Sequence, residues 1–279
     1  MKTIDLGLGG GSLLQIANRE HTQSMAYMIK SDTGKIVMID SANYKRPEDA
    51  ENLYSLLKEN GSHVDAWFIT HAHSDHIGGL AYIWEKYGNE IQIDKIVYDF
   101  PDYEWLCKVN GKHDMSCIDL FEKYVKEYSI QVIKPEKDMV FNFGVRIEVL
   151  NSLLDNYKNF DDVNDSGICL KAHFKNNSVL FLGDMGKKPE DDLIEIIGDK
   201  LRCDIVQMAY HGQNGVTQKT YKRIMPKVCL WCTPDWLWDN DNGGGIGSGG
   251  WKTLETRAWM EELGVKKHYV AKDGDFLFI

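Results

Sequence analysis

Long apolar runs are missing from the 279 residues, so no segment reads as a membrane span. The N-terminal MKTIDLGLGG has neither an apolar core segment nor a small-residue cleavage site, so it does not read as a secretory leader. The expected compartment is the reducing cytoplasm. Basic charge is short as well: 32 Lys and Arg stand against 42 Asp and Glu, a net charge of -10. That balance disfavours long nucleic acid and anionic membrane as partners. It leaves an anionic small molecule open, because bound divalent cations would dominate the local field. Of six cysteines only Cys229 and Cys232 form a C-x-x-C pair. Without a second pair or a nearby histidine this is a weak structural-zinc signal. The pair lies in the apparent strand Val228–Thr233, where buried free thiols are the expected state. Proline is sparse, no Pro/Ser-rich linker divides the chain and no solenoid repeat is visible, so residues 1–279 read as one domain.

What the sequence does hold is an ordinary globular composition, with 43% hydrophobic and 27% charged residues. The first half opens with short strands near Thr3–Gly7, Ser12–Ile16, Ala26–Ile29 and Lys35–Asp40, separated by Gly-rich and polar turns. Pro47 and Glu48 open a helix that stops at Gly61. An apolar strand, Val64–Thr70, runs into His71, and a helix is expected from Ile77 to Tyr87. A strand at Lys95–Tyr98, a loop at Asp99–Asp114 and a helix near Ile118–Tyr128 follow.

The second half repeats this style. Strands are expected near Met139–Phe141, Arg146–Leu150, Ile168–Phe174, Val179–Leu182 and Ile205–Met208. Helices are expected at Pro189–Ile197, Gln218–Ile224 and Leu254–Leu263. A last strand pair, His268–Ala271 and Phe276–Ile279, is expected to close across Asp273-Gly274. Strands in both halves with helices between them predict an α/β fold of two sheets packed face to face, with helices outside.

The decisive segment is THAHSDHIGGL, Thr70–Leu80. It presents His71-x-His73-x-Asp75-His76 at the end of an apolar strand. If the strand pleat persists, His71 and His73 share one side. Imidazole and carboxylate suit Zn²⁺ first, with Mn²⁺ or Fe²⁺ as alternatives. Four ligand-type residues in so short a span exceed what one tetrahedral ion with an open position needs, which predicts two metal ions. The bland alternative is a polar loop whose histidines cap the next helix. Three other strand ends speak against it: KIVMID ends in Asp40, SVLFLGD in Asp184, and VQMAYHG in His211-Gly212. Active sites of layered α/β folds gather at such ends.

With these pieces in place the chain resembles the metallo-β-lactamase superfamily over nearly its whole length, through H-x-H-x-D-H, the Gly-Asp and the His-Gly in that order. It is most similar to the soluble hydrolase domain of bacterial competence (ComEC-type) proteins, through IDLGLGGGSLLQI, VMIDSA, THAHSDHIGGL, NDSGICLKA, VLFLGD and AYHGQNG. The resemblance implies a four-layer αββα sandwich and a metal set of His71, His73, Asp75, His76, Asp184 and His211. The subgroup's His-His-Gly is here Tyr210-His211-Gly212, and His211 is taken as the ligand. A third histidine for the first metal, usual in the family, is replaced by Asn164-Asp165-Ser166. His173 is no substitute: a hairpin turning at Lys175–Asn177 would put it on the order of 15 Å from Asp184. One metal is then held by Asp75, His76, Asp184 and His211. The other has His71, His73 and the shared Asp184, completed by water, Asn164 or Asp165, and is the weaker.

The implied chemistry is hydrolysis by a hydroxide bridging the two cations. Asp75 and Asp184 are the catalytic carboxylates, Asp75 also orienting the attacking water. Asp40 is expected to accept from a ligand histidine and fix its tautomer. Asp165 and Ser166 are expected to anchor their loop. A small phosphodiester is the first substrate reading. A carboxylic ester, lactone or amide is the second, and a metal-binding module without catalysis the third. Finally, Trp231–Trp251 combines four of the eight tryptophans with the run NGGGIGSGG. Trp236 and Trp238 are expected to form a mobile wall over the site; the alternative is that Trp231 and Trp251 are core residues and Gly243–Gly250 is a disordered surface loop. In the second case Tyr103 and Trp105 of the 99–114 loop are the alternative pocket residues.

Overall fold

The computed structural model describes residues 1–279. The first half runs β1 (Lys2–Ile4), β2 (Gly11–Gln15), β3 (Tyr27–Ser31), β4 (Ile36–Ile39), α1 (Pro47–Glu59), β5 (His63–Val64), β6 (Ala66–Phe68), α2 (Ser74–Tyr87), β7 (Gln92–Ile93), β8 (Lys95–Val97), α3 (Tyr103–Val109), α4 (Lys112–Glu127) and β9 (Gln131–Ile133). The second half runs β10 (Val140–Asn142), β11 (Arg146–Val149), β12 (Leu170–His173), β13 (Ser178–Phe181), α5 (Glu190–Ile197), β14 (Ile205–Gln207), α6 (Gln218–Ile224), β15 (Val228–Trp231), α7 (Asp235–Trp238), α8 (Thr253–Glu262), β16 (Lys267–Val270) and β17 (Phe276–Phe278).

Two sheets form, with strand orders β1-β17-β2-β3-β4-β6-β8-β9 and β10-β11-β12-β13-β14-β15-β16, and β5 pairs β7 in a small ribbon. Side-chain alternation explains the layering. Along β4, Val37 and Ile39 enter the core between the sheets, while Ile36 and Met38 face the helices. Along β13, Val179 and Phe181 point inward and Leu180 outward. The outer face of the first sheet is covered by Leu53 of α1, Ile77 and Leu80 of α2, and Phe121 of α4. That of the second is covered by Leu193 of α5, Ile224 of α6 and Met260 of α8. Each fully buried aliphatic or aromatic side chain of this kind contributes roughly 1.5–3 kcal/mol. The result is the expected order of helices, sheet, sheet and helices.

Several local expectations change. The Val64–Thr70 strand is broken at Asp65, whose carboxylate accepts from the Ile36 amide and pairs with Lys35. Only Ala66–Phe68 joins the large sheet, so no pleat carries through His71 and His73. Helix α2 starts at Ser74, three residues early, which puts Asp75 and His76 in its first turn. The 99–114 loop contains α3, capped by Asp102 accepting from the Trp105 amide. Strands β16 and β17 do not pair with each other. They join different sheets, because a short helical turn and Gly274 (φ 110) send the chain across the sandwich. The six cysteines form no disulfide; Cys229 and Cys232 face different cores. No helix is long and apolar enough to cross a membrane.

Candidate metal centre

Strands β4 and β6 are parallel neighbours in one sheet, as are β13 and β14 in the other. Their C-terminal ends meet at one edge of the sandwich. Asp40 follows β4, Thr70 and His71 follow β6, Gly183 and Asp184 follow β13, and Tyr210 and His211 follow β14. Helix α2 starts in the same place because its first turn is stitched to the chain after Asp40. The Ser41 amide donates to the His76 carbonyl (2.6 Å), the Tyr44 amide to the Ser74 carbonyl (3.1 Å) and the Gly79 amide to the Ala42 carbonyl (3.0 Å). Such proximity requires Gly78 and Gly79: a Cβ would sit 2.2 Å from the Tyr44 nitrogen at one and 1.6 Å from the Ser41 oxygen at the other.

Four side chains converge. One ligand atom from each of Asp75, His76, Asp184 and His211 lies within 4.8 Å of all the others. His211 Nε2 is 3.0 Å from Asp75 Oδ2 and 3.1 Å from Asp184 Oδ2, and His76 Nε2 is 3.4 Å from Asp184 Oδ1. His76, His211 and Asp184 are buried, and the Asp75 side chain is 17% exposed. Even so, His76 Nε2, His211 Nε2 and Asp184 Oδ1 have no hydrogen-bond partner. Buried polar atoms without a partner are costly, about 1–3 kcal/mol each. Two imidazole nitrogens and two carboxylates aimed at one point form the donor set a divalent transition metal takes.

The back sides of the rings are tied down, which fixes their tautomers. His76 Nδ1 lies 2.7 Å from Asp40 Oδ2, and His211 Nδ1 donates to the Cys232 carbonyl (2.8 Å). Asp40, in the left-handed region at φ 54, also accepts from the Thr70 amide (2.7 Å) and hydroxyl (2.8 Å). With its proton given to Asp40, the Thr70 hydroxyl accepts from His71 Nδ1 at 3.0 Å. The His76 and His211 rings thus turn Nε2 toward the centre, and the His71 ring turns its Nε2 toward His73. Burial, then the neighbouring His76 and His73, hold His71 well below the usual histidine range, so it is neutral. Burial opposes charge on His211, but Asp184 and Asp75 outweigh it and push it up to about 10. The carboxylates therefore call for a positive charge between them.

Thr70 escaped the sequence reading, because a threonine beside a histidine carries no pattern of its own. Its only signal was its place between Asp40's strand neighbour and His71. Thr70→Val keeps the shape but removes the hydroxyl from both Asp40 and His71. Metal affinity is expected to fall roughly 10- to 100-fold, as for other outer-sphere partners, with folding intact. Competition with a chromogenic chelator measures it, and unchanged affinity refutes the role.

His71 and His73 form a second group with Asn164. His71 Nε2 is 3.2 Å from His73 Nδ1, which is 2.9 Å from Asn164 Oδ1. Asn164 is buried in the turn Val163–Ser166, capped by Asp162 accepting from the Asn164 amide (3.0 Å). Ser166 donates to the Val163 carbonyl (2.6 Å), closing that turn. Asp165 points at Gly186, where a Cβ would meet its oxygen at 2.2 Å. Burial, then Asp162, pushes its carboxyl up to about 7. Tyr210 turns toward Asp162 (3.3 Å). His173 sits opposite Ser178 at the turn end of the β12–β13 hairpin, with Nε2 2.7 Å from Glu148.

Trp236 and Trp238 lie outside the cluster and pair with none of its rings. Trp236 packs on Trp251 (centroids 4.7 Å apart) and donates to the His21 carbonyl (2.8 Å). Trp238 meets Trp231 edge-on (5.2 Å) and lies under the Arg257 guanidinium (4.0 Å). The glycine run is bound to Asp241, whose Oδ1 accepts from the Gly243 (2.7 Å) and Gly245 (2.9 Å) amides. Trp231 is fully buried, whereas Trp236, Trp238 and Trp251 are half-buried. Tyr103 lines a separate cavity of about 620 Å³ against α4.

A family model described as the metallo-beta-lactamase superfamily matches residues 19–228. No curated protein matches the chain. Among solved structures it is similar to the metallo-beta-lactamase fold protein YhfI from Bacillus subtilis, at 13% identity and TM-score 0.55, covering 96% of this chain and 98% of that one. It is also similar to Tm1679, described as a metal-dependent hydrolase of the beta-lactamase superfamily, at 10% identity and TM-score 0.53, covering 95% and 98%. A third is CmlA, a diiron beta-hydroxylase from Streptomyces venezuelae, at 10% identity and TM-score 0.56, covering 94% of this chain. The chain spans 53% of the hydroxylase. At such identities the likeness is one of fold, and the differing descriptions show that the fold does not set the chemistry.

Proposed function

The chain belongs to the metallo-beta-lactamase superfamily, and we propose that it is a dinuclear metal-dependent hydrolase acting on a small phosphodiester. The observation that carries this reading is the set of partnerless buried donors of His76, His211 and Asp184, with Asp75 beside them. Residues 1–279 are read as one domain serving that site.

Asp75, His76, Asp184 and His211 would hold one cation. His71, His73, Asn164 and the shared Asp184 would hold the other. Divalent cations in these places supply a water made acidic enough to act at neutral pH and a sink for negative charge on the substrate oxygen. The residues supply the rest. Asp75 is the most open of the four, so its free oxygen faces the incoming water and orients it. Asp40 and Thr70 hold the His76 and His71 rings in place. The buried sheet ends exclude bulk solvent from the far side.

The phosphodiester reading rests on the likeness to the competence-type hydrolase domain, carried by Asn164-Asp165-Ser166 and AYHGQNG. The short supply of basic residues favours a small substrate over a long nucleic acid. The test is elemental analysis joined to a panel of chromogenic phosphodiesters, carboxylic esters and lactones. Turnover of phosphodiesters supports the reading, and turnover of esters or lactones alone replaces it. A loaded protein that turns over none of them is a binding module.

The two ligand sets are unequal, because Asn164 contributes a neutral oxygen where the family usually has an imidazole. The protein is expected to take up to two Zn²⁺, Mn²⁺ or Fe²⁺ ions, one more weakly. Asn164→Ala is expected to weaken that one alone. Calorimetric titration of the metal-free protein reads both steps. Absence of transition metal after reconstitution refutes the reading.

A further inference from the structure

Tyr210 occupies the place where the sequence resemblance expects a histidine, and its backbone is unusual. Tyr210 (φ 53, ψ 48) and His211 (φ 52, ψ 22) are consecutive left-handed residues, followed by Gly212 at φ 82. Non-glycine residues persist there only where their surroundings hold them. The conformation is held by the Tyr210 amide donating to the Gly183 carbonyl (3.2 Å) and by the Thr233 hydroxyl donating to the His211 carbonyl (2.6 Å). Gly212 itself is pressed against Trp231, where a Cβ would lie 2.4 Å from the ring.

This turn sends the two side chains different ways. His211 goes into the buried centre. The Tyr210 phenol goes to the turn at Asp162–Asn164, donating to Asp162 Oδ2 at 3.3 Å. Asn164 in turn contacts His73 at 2.9 Å. The hydroxyl therefore lies on the side of His73, which is only half-buried. On this side the phenol is a hydrogen-bond donor that belongs to neither ligand set. A phenol, with an ordinary pKa near 10, stays protonated at neutral pH and donates without adding charge. Its present bond is long for an O–H···O contact, so little is lost in exchanging Asp162 for a substrate oxygen.

We propose that the Tyr210 hydroxyl is a catalytic hydrogen-bond donor to the substrate oxygen that gains negative charge as water attacks, leaving Asp162 for that oxygen when substrate binds. No proton is transferred; the phenol keeps its hydrogen. The inference rests on the hydrolase reading above.

The test compares Tyr210→Phe with Asp162→Asn in the metal-loaded protein. Asp162→Asn frees the phenol while an amide oxygen still caps the Asn164 amide. Removal of one such donor lowers kcat by roughly 100- to 1,000-fold. For Tyr210→Phe that loss is expected with KM and metal content little changed, and Asp162→Asn is expected to stay near wild type. Vanadate binding, read by calorimetry, gives a readout independent of turnover. Tyr210→Phe is expected to weaken vanadate more than inorganic phosphate, because vanadate adopts the geometry of the attacked centre. The proposal is overturned if Tyr210→Phe retains wild-type kcat, if Asp162→Asn falls as far, or if both anions bind the variant as they bind wild type. A wild type that hydrolyses nothing refutes the hydrolase reading instead, and the vanadate comparison still decides the role of Tyr210.

Discussion

Asp184→Ala is expected to abolish both metal retention and turnover. Asp184 reaches His76 at 3.4 Å and His211 at 3.1 Å from its two oxygens, and it is the carboxylate that both ligand sets share in the proposed centre. Its loss leaves two imidazoles and Asp75 for one ion, and two imidazoles with a neutral amide for the other. The group that makes the nucleophile goes with the ions, so the rate is expected to fall on the order of 1,000-fold or more. His173→Ala is the matched control. Six residues of nearly extended chain separate the partner of His173, Ser178, from Asp184, roughly 20 Å at the usual strand rise. Its imidazole is engaged with Glu148. Metal content and rate should stay at wild type. A metal-free His173 variant, or an active Asp184 variant that keeps both ions, contradicts this assignment.

The second large effect is expected on folding. Gly79→Ala adds one methyl group, but that carbon would lie 1.6 Å from the Ser41 carbonyl oxygen and 2.9 Å from its carbon. Both are backbone atoms of the segment that follows Asp40, so no side chain can swing aside. Helix α2 must retreat, breaking the Ser41–His76 and Gly79–Ala42 bonds and dragging Asp75 and His76 with it. Overpacking a core costs about 1–3 kcal/mol, occasionally more. With two backbone bonds lost as well, about 4 kcal/mol is expected, a large share of a typical total of roughly 5–15 kcal/mol. Thermal unfolding should show a fall in Tm of roughly 8 °C or more, or no soluble protein. Gly250→Ala, with nothing within 4 Å of its Cβ, is the neutral comparison. Equal Tm values for the two variants refute the argument.

The two cases show what could be read from the residues alone. The ligand types were legible because chemistry restricts them: few reasons exist for His71, His73, Asp75 and His76 to crowd one strand end. The layered sheets were legible because alternating apolar residues such as those of β4 and β13 leave little choice. What could not be read was contact between distant segments. Gly78 and Gly79 look like ordinary helix-weakening glycines until Ser41 and Tyr44 are seen against them. Thr70 acquires meaning only once Asp40 and His71 lie on either side of its hydroxyl. The break at Asp65 depends on a bond to Ile36, and the short edge strand β9 lacks any turn signal strong enough to announce it. The pairing of His268–Ala271 with Phe276–Ile279 failed for the same reason. Nearness in sequence suggested a hairpin, whereas Phe276 and Phe278 fill the space between the sheets beside β2.

That last strand has a consequence for how the protein is made. Strand β17 lies between β1 and β2, parallel to one and antiparallel to the other. The Asp275 carboxylate just before it accepts from the Ala17 amide (2.8 Å) and pairs with Arg19. The segment it steadies leads to Met25, whose amide donates to the Asp75 carbonyl (3.1 Å). On the ribosome, β1 and β2 emerge well before β17 and have no strand to join them until it arrives. At about 5–20 residues per second that delay is on the order of tens of seconds. Throughout it the growing chain carries an unpaired edge at β2, which is the kind of edge that invites pairing with another chain until β17 is threaded into place.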